Sequence, residues 1–176
     1  IWQGVASCLR EVRAQCPDDD VVAIGLTGQG DGAWLVDEAG VPTRPAATWL
    51  DGRAASRVNE WVSSGKADKV LETSGTTVFG GLFPVLYEEF RETDPDVIAR
   101  SATHLYCKDW LRYRLTGERL TDYTEASRTF LNVSTMEYSQ DMAEALGMPD
   151  ALRLLPPIVP SDGPGGVVTE DAAAET

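Results

Sequence analysis

The sequence predicts an α/β domain in which helices flank a mixed sheet. Short apolar runs rich in branched residues, such as residues 21–26, are typical of buried strands. Other segments repeat apolar residues every three or four positions, which is typical of helices. The two kinds of segment follow one another in the order strand, hairpin, helices, strand, helix. The chain of 176 residues is long enough to enclose a hydrophobic core.

The first predicted element is an amphipathic helix. Five apolar residues should form its buried face, at spacings of four, four, three and four: Ile1, Val5, Leu9, Val12 and Cys16. Pro17 and an acidic run then end the helix. Strands are predicted at residues 21–26, 33–36 and 46–50, with a hairpin turn at residues 37–40.

The middle of the chain has a predominantly helical pattern. Helices are predicted over residues 54–63, 68–73, 83–92, 95–100, 109–115 and 141–146. A loop is predicted at residues 74–81 and a short strand at residues 105–107. Gly117 and Gly147 stand where the C-terminal caps of two of these helices belong.

The composition changes after residue 155. Proline and glycine are frequent over residues 156–166, which predicts an extended connection. Val167 and Val168, followed by an acidic, alanine-rich segment, predict the start of a strand and a helix. We therefore assign residues 1–155 to the main part of one domain. Residues 156–176 are the connection and the start of the next strand–helix unit of that domain.

The net charge of −13 argues against nucleic acid as a partner, because phosphates bind to positive surfaces, and it disfavours anionic membranes. No apolar run is long enough to span a bilayer, and we expect no signal peptide. The three cysteines have no metal-ligand spacing, so we expect reduced thiols and a cytoplasmic location. The single histidine, His104, argues against a histidine-based metal site and is interpreted as structural.

A glycine-rich turn at residues 27–32 is the first candidate site. Its alternating glycines allow close backbone approach to a ligand. Gln29 and Asp31 offer an amide and a carboxylate to hydroxyl groups. The spacing is not the dinucleotide-binding pattern, because no helix is predicted to follow. The alternative interpretation is a glycine-rich hairpin with a capping aspartate.

The second candidate is the segment that holds Trp49, Asp51 and Arg53. An indole face packs against the C–H groups of a carbohydrate, while the two charged side chains bind hydroxyls. The alternative is a core tryptophan followed by an aspartate that caps the next helix.

Two later segments are rich in polar residues. Residues 108–117 are best interpreted as architecture, with Asp109 at a helix start. In residues 121–129, Asp122 and Glu125 are an acid/base pair candidate, but helix capping explains them equally well. A glycosidase needs two carboxylates that face each other across a cleft, and two residues three positions apart at one helix start do not fit that requirement.

Taken together, these segments resemble the FGGY family of carbohydrate kinases, in order along nearly the whole chain. The family's glycine-rich turn matches Gly28-Gln29-Gly30-Asp31-Gly32, and its W-x-D-x-R segment matches Trp49, Asp51 and Arg53. Its KDWL-x-x-x-LTG helix matches residues 108–117. Its D-x-S-x-A-S-x-T segment matches residues 122–129, with Thr124 in place of the first serine.

The resemblance implies a ribonuclease H-like, actin-like ATPase domain that is incomplete here. Family members transfer the γ-phosphoryl group of ATP, with Mg²⁺, to a hydroxyl of a sugar or polyol. The resemblance places the phosphate-binding hairpin before Ile1 and the catalytic aspartate beyond Thr176. It therefore implies no catalytic residue and no metal ligand within the chain, and we expect this chain alone to be inactive.

The resemblance also implies the substrate contacts: Gln29, Gly30, Asp31, Trp49, Asp51 and Phe79. Xylulokinases usually carry GQMHG at the turn, so Gly30 and Asp31 replace a methionine and a histidine. The change removes bulk and adds negative charge, which suits a linear, erythritol-like polyol or an open-chain, xylulose-like ketopentose. A non-catalytic actin-like domain and a carbohydrate-binding domain are the rival interpretations, and a homodimer is left open.

Overall fold

The computed structural model describes residues 1–176. The helices are α1 (Trp2–Gln15), α2 (Ala55–Ser64), α3 (Lys66–Ser74), α4 (Phe83–Thr93), α5 (Pro95–Arg100), α6 (Cys107–Thr116), α7 (Tyr123–Ala126), α8 (Gln140–Ala145) and α9 (Glu170–Glu175), with a 3₁₀ helix at Pro149–Leu154. The strands are β1 (Trp34–Val36), β2 (Thr103–Leu105), β3 (Thr121–Asp122), β4 (Leu131–Asn132), β5 (Glu137–Tyr138) and β6 (Ile158–Val159). None of the helices is both long and apolar enough to cross a membrane.

The predicted helices of the middle of the chain are confirmed. Each of these six segments begins and ends within two residues of an observed helix. Gly117 and Gly147 follow α6 and α8 with positive φ angles of 76° and 75°, as C-terminal caps require. These helices were predictable because their apolar period and their terminating glycines are local signals.

The strands form three separate two-stranded pairs. β1 and β2 are antiparallel, with Trp34 opposite Leu105 and Val36 opposite Thr103. β3 and β6 are parallel, and β4 and β5 are antiparallel. Both orientations predicted for a mixed sheet are therefore present, in short pieces.

The strand predicted at residues 21–26 is absent. This segment has no regular secondary structure and makes no backbone-to-backbone hydrogen bond, and Val22 is 94% exposed. A strand is stabilised only when a neighbouring strand pairs with its N–H and C=O groups, and no other segment of the chain lies beside it in that way. Residues 21–26 have the apolar composition of a strand, but a strand also needs a neighbouring strand with which its backbone can pair.

Three further strand predictions need correction. In residues 46–50 only Ala47 forms a bridge, to Ala33. The strand predicted at residues 105–107 ends at Leu105, because Cys107 already begins α6. Val167 and Val168 are not a strand; β6 instead lies inside the proline-rich connection, where it pairs with β3.

The main core surrounds α4, whose residues from Phe83 to Glu88 are all buried. The largest side chains packed there include Trp61, Tyr87, Phe90 and Phe130. A second, smaller core joins α1, β1, α6 and α9: Trp2, Ala6, Trp34, Cys107, Leu111, Leu115 and Ala172.

The buried face of α1 differs from the prediction. Trp2 and Ala6 are buried, whereas Ile1 is 69% exposed and Val12 is 60% exposed. The large indole of Trp2 packs into the second core, and Val5 and Leu9 of the predicted stripe pack against it while partly buried. On its outer side the stripe borders an open apolar groove, which is lined by Ile1, Val5, Leu9 and Val12 together with Ile24 and Leu26.

His104 on β2 is a buried, neutral histidine. Its ring stacks on Phe83 at a centroid distance of 3.7 Å and meets the Tyr106 ring edge-on at 4.6 Å. Neither ring nitrogen has a hydrogen-bond partner. Burial lowers the pKa of His104 from 6.5 to about 3. The structural interpretation of this residue is confirmed.

We expect His104 to make the fold sensitive to acid. Its pKa is depressed in the folded chain, so the unfolded chain takes up a proton first and stability falls as the pH drops from 6.5 towards about 3. At about pH 4.5 the loss due to His104 should be about 3 kcal/mol. Urea unfolding of wild type and His104→Phe at neutral and acidic pH tests this. The variant should lose less stability on acidification, and parallel losses would contradict the prediction.

Candidate functional site

The glycine-rich turn at residues 27–32 follows residues 21–26, and contacts on two sides fix its position. Asp31 and Gly32 have positive φ angles of 59° and 92°. The Gly32 N–H donates to the Gly81 carbonyl at 2.8 Å. On the other side the turn lies against the start of α6, since a Cβ on Gly28 would lie 3.2 Å from the Lys108 backbone nitrogen. The backbone of this turn is therefore constrained, which fixes the positions of its side chains.

Asp31 forms a bidentate ion pair with Arg128. The Arg128 Nε and Nη2 atoms donate to the two Asp31 carboxylate oxygens at 2.9 Å and 3.1 Å. The Arg128 guanidinium lies 5.5 Å from the centroid of the Phe79 ring and also donates to Thr76 Oγ1 at 3.4 Å. The predicted contacts Asp31 and Phe79 thus meet at Arg128. Arg128 compensates the negative charge that the sequence analysis assigned to the turn.

Asp122 caps α7, as the capping interpretation predicts. Its carboxylate accepts the Glu125 N–H at 3.0 Å, and Lys108 Nζ lies 3.1 Å from its other oxygen. Burial opposes the ionisation of Asp122, but the Glu125 N–H and the Lys108 charge outweigh burial and lower its pKa. Lys108 also donates to Asp109 at 2.7 Å. Asp122 is therefore an ionised structural carboxylate at neutral pH.

Glu125 has a different environment. Its side chain is buried, yet no protein donor forms a hydrogen bond with its carboxylate. Burial raises the pKa of Glu125 to about 7, with Lys108 opposing this and nearby carboxylates adding to it. A Cβ on Gly30 would lie 3.4 Å from the Glu125 Oε2 atom. The carboxyl group therefore stands directly against the glycine-rich turn.

These groups surround an open hollow of about 460 Å³. Leu26 is the one apolar residue among the 11 that line it, and the charged ones are Asp31, Lys108, Asp122, Glu125 and Arg128. Hydroxyl-rich molecules suit such a lining, because carboxylates accept and cations donate hydrogen bonds. The site is chemically polar and holds both signs of charge.

The other predicted contacts lie outside this lining. Gln29 and Trp49 are exposed, and Trp49 retains 49% of its surface, so it is not a core tryptophan. The Trp49 backbone lies beside Phe79, since both come within 2.9 Å of a Cβ built on Gly81. Asp51 does not cap α2. It accepts the Arg53 Nε at 2.8 Å, and this hydrogen bond lowers the pKa of Asp51.

Sequence reasoning missed Arg128 and undervalued Lys108. Arg128 is 97 residues from Asp31 along the chain, so no local pattern connects them. Both residues nevertheless lie within segments that match the family, Lys108 in residues 108–117 and Arg128 in residues 122–129, and that match is a signal that could have identified them.

A metal site is not formed by the chain's own side chains. No group of three or more histidine, cysteine, aspartate or glutamate residues is arranged to hold a metal ion. Two carboxylates of the hollow are instead held by cations, Asp122 by Lys108 and Asp31 by Arg128. We therefore assign no residue of this chain as a metal ligand.

Comparison with known proteins identifies the family. The family model described as "FGGY family of carbohydrate kinases, N-terminal domain" matches residues 1–176. An erythritol kinase from Brucella abortus is 36% identical over 177 residues, which cover 99% of this chain and 34% of that protein. A probable L-xylulose kinase from Pasteurella multocida is 29% identical and covers 100% of this chain and 37% of that protein.

The fold agrees with solved structures of the same family. The xylulose kinase from Rhodospirillum rubrum superposes with a TM-score of 0.90 at 26% identity, over 99% of this chain and 36% of that one. The predicted ribonuclease H-like, actin-like fold class is thereby confirmed. The chain spans about a third of the length of the curated relatives it matches. The chain belongs to the FGGY family of carbohydrate kinases, whose N-terminal domain it matches over residues 1–176.

Proposed function

We propose that the protein carrying this chain is an ATP-dependent kinase that phosphorylates a hydroxyl of a short linear polyol or a ketopentose. In this proposal the chain supplies the acceptor-binding part of the site. The observation that carries it is the polar hollow beside the turn, where Gly30 and Asp31 face Glu125. The other predicted contacts belong to the same proposal, although they lie outside the lining of the hollow: Gln29, Trp49, Asp51 and Phe79.

The charges of the hollow suit a hydroxyl-rich acceptor. A polyol hydroxyl both donates and accepts, so it satisfies carboxylates and cations at once. Arg128 holds Asp31 in a fixed orientation, which reduces the ordering needed when the acceptor binds. Phosphoryl transfer depends mainly on positioning and charge stabilisation, and this part of the protein contributes the positioning.

Two observations guide the choice of acceptor. The relative that is 36% identical is named an erythritol kinase, and one that is 29% identical is named a probable L-xylulose kinase. Gly30 and Asp31 both line the hollow, and Gly30 adds no side chain to it, which leaves the Asp31 carboxylate open to the hydroxyls of a linear acceptor. We therefore place an erythritol-like tetritol or a xylulose-like ketose in the hollow.

ATP would supply the phosphoryl group, and Mg²⁺ would neutralise the charge of its phosphates. We propose that their ligands and the catalytic base belong to other parts of the protein, in keeping with the third of the relatives' length that the chain spans. Within the chain, the residues of the hollow bind and orient the acceptor.

The test is ADP release by the complete protein with ATP, Mg²⁺ and a panel of erythritol, threitol, L-xylulose, D-xylulose and glycerol. We expect turnover with a tetritol or a ketopentose, and no turnover by residues 1–176 alone. A folded, ATP-binding protein that releases no ADP with any acceptor would contradict the proposal and favour a non-catalytic actin-like domain. Turnover by the isolated chain would contradict the assignment of catalysis to other parts of the protein.

A further inference from the structure

Glu125 is the one carboxylate of the hollow without a partner of its own. Asp31 is held by Arg128, and Asp122 is held by Lys108. Glu125 is only 6% exposed, and no protein group donates to its side chain. Its oxygens nevertheless reach the hollow, and both lie within 3.7 Å of a Cβ built on Gly30.

A carboxyl group in such surroundings has no protein hydrogen-bond donor of its own, and within the chain only the charge of Lys108 favours its ionised form. The groups that act on it are Lys108, Asp109, Asp122 and Asp31, with the burial of the side chain as the largest influence. With a pKa raised to about 7, the group is present in both protonation states near neutral pH. Such a carboxyl group can accept a hydrogen bond or donate one, which matches the chemistry of a hydroxyl.

Gly30 determines whether a ligand reaches Glu125. Its φ angle is not in the left-handed region, so the backbone there does not require glycine. Any larger residue would place its side chain against the Glu125 oxygens, beginning with a Cβ at 3.4 Å. The missing side chain therefore leaves a gap between the turn and the carboxyl group, and this gap opens into the hollow.

We propose that Glu125 binds a hydroxyl of the acceptor through the gap at Gly30, and that this contact selects acceptors with at least four hydroxyl-bearing or carbonyl-bearing carbons over glycerol. The inference rests on the proposed function. The selectivity depends on where Asp31 binds the acceptor. If Asp31 orients the two hydroxyls beside the one that receives the phosphoryl group, a triol has no further oxygen that can reach Glu125. A tetritol or a ketopentose has a further oxygen for this position.

The test uses the complete protein and compares its best tetritol or ketose with glycerol. Glu125→Ala should lower kcat/KM for the longer acceptor about 30-fold, the loss expected for one buried hydrogen bond to a carboxyl group. It should change kcat/KM for glycerol by no more than about twofold, since glycerol does not make the contact. Gly30→Ala should also lower kcat/KM for the longer acceptor relative to that for glycerol, because the added methyl group fills the gap. Glu118→Gln is the control, since its side chain is exposed and forms no ion pair, and it should leave both values of kcat/KM unchanged.

A substrate analogue sharpens the test. An analogue that lacks the terminal hydroxyl of the longer acceptor, at the end that is not phosphorylated, should lower kcat/KM of wild type about as much as Glu125→Ala does. The analogue and the variant together should lower kcat/KM little more than either change alone. Equal losses with the longer acceptor and with glycerol would assign Glu125 a structural role and overturn the inference. A wild-type protein that prefers glycerol would overturn it as well.

Failure of the proposed function gives a different result. If wild type phosphorylates none of the acceptors, calorimetric titration with erythritol still measures binding to wild type and Glu125→Ala. Weaker binding by the variant would retain the Glu125 contact while the kinase proposal falls. Equal binding by both proteins, or no binding by either, would overturn the contact.

Discussion

Asp31→Asn should lower kcat/KM of the complete protein for its polyol or ketose about 100-fold. Asparagine tolerates the left-handed backbone that Asp31 adopts at φ 59°, so the turn should keep its shape. The loss comes from two sources: the acceptor's hydroxyls lose a charged acceptor, and Arg128 is left without its bidentate partner. Together they should cost about 3 kcal/mol of transition-state binding, which corresponds to that change in rate.

Steady-state kinetics with ADP detection measures the effect. Asp18→Asn, on an exposed aspartate outside the site, serves as the matched control and should behave like wild type. Most of the change should appear in KM if Asp31 only binds the acceptor. An unchanged kcat/KM in a folded Asp31→Asn protein would show that Asp31 and Arg128 are only a structural ion pair of the turn.

Gly32→Ala should destabilise the fold by at least about 3 kcal/mol. A Cβ on Gly32 would lie 2.2 Å from the Ala47 carbonyl oxygen, and the φ angle of 92° adds backbone strain. Relieving the clash means moving Ala47, which exchanges hydrogen bonds with Ala33 at 2.8 Å and 3.1 Å. The substitution therefore disrupts both the turn and the start of β1.

Urea unfolding of the chain measures this loss, with Gly65→Ala as the control. Gly65 also has a positive φ angle, 81°, but nothing lies within 4 Å of the position that a Cβ would take there. Gly65→Ala should lower the free energy of unfolding by about 1 kcal/mol, from backbone strain alone. The difference between the two variants isolates the contact with Ala47. Equal losses in both variants would mean that the turn relaxes without cost and is not constrained as described.

The helices of the fold were predictable from the sequence, whereas of the strands only β1, predicted at residues 33–36, was. α2 to α6 and α8 follow from apolar periods and terminating glycines, which are local signals. Residues 21–26 have the composition of a strand, but strand formation depends on a partner elsewhere, and here the segment has none. The same reasoning explains why β6 appeared in a proline-rich connection, since β3 supplies its partner.

The glycine-rich turn of the candidate site was predictable from the sequence, whereas the residues that face the turn across the hollow were not. The glycines around Gln29 and Asp31 indicated close backbone approach, and the family motif indicated a sugar contact. The pairing of Asp31 with Arg128 joins residues 97 positions apart, and such a contact leaves no periodic signal. Asp122 and Glu125 were recognised as a pair with two interpretations. The structure gives Asp122 the capping role and leaves Glu125 facing the hollow.

The most direct measurement is a crystal structure of the complete protein with the acceptor that it phosphorylates best. We expect the acceptor in the hollow beside the turn, with hydroxyl oxygens within about 3.2 Å of the carboxyl groups of Asp31 and Glu125. An acceptor bound elsewhere, with the hollow filled by the protein's own side chains, would contradict the proposed site.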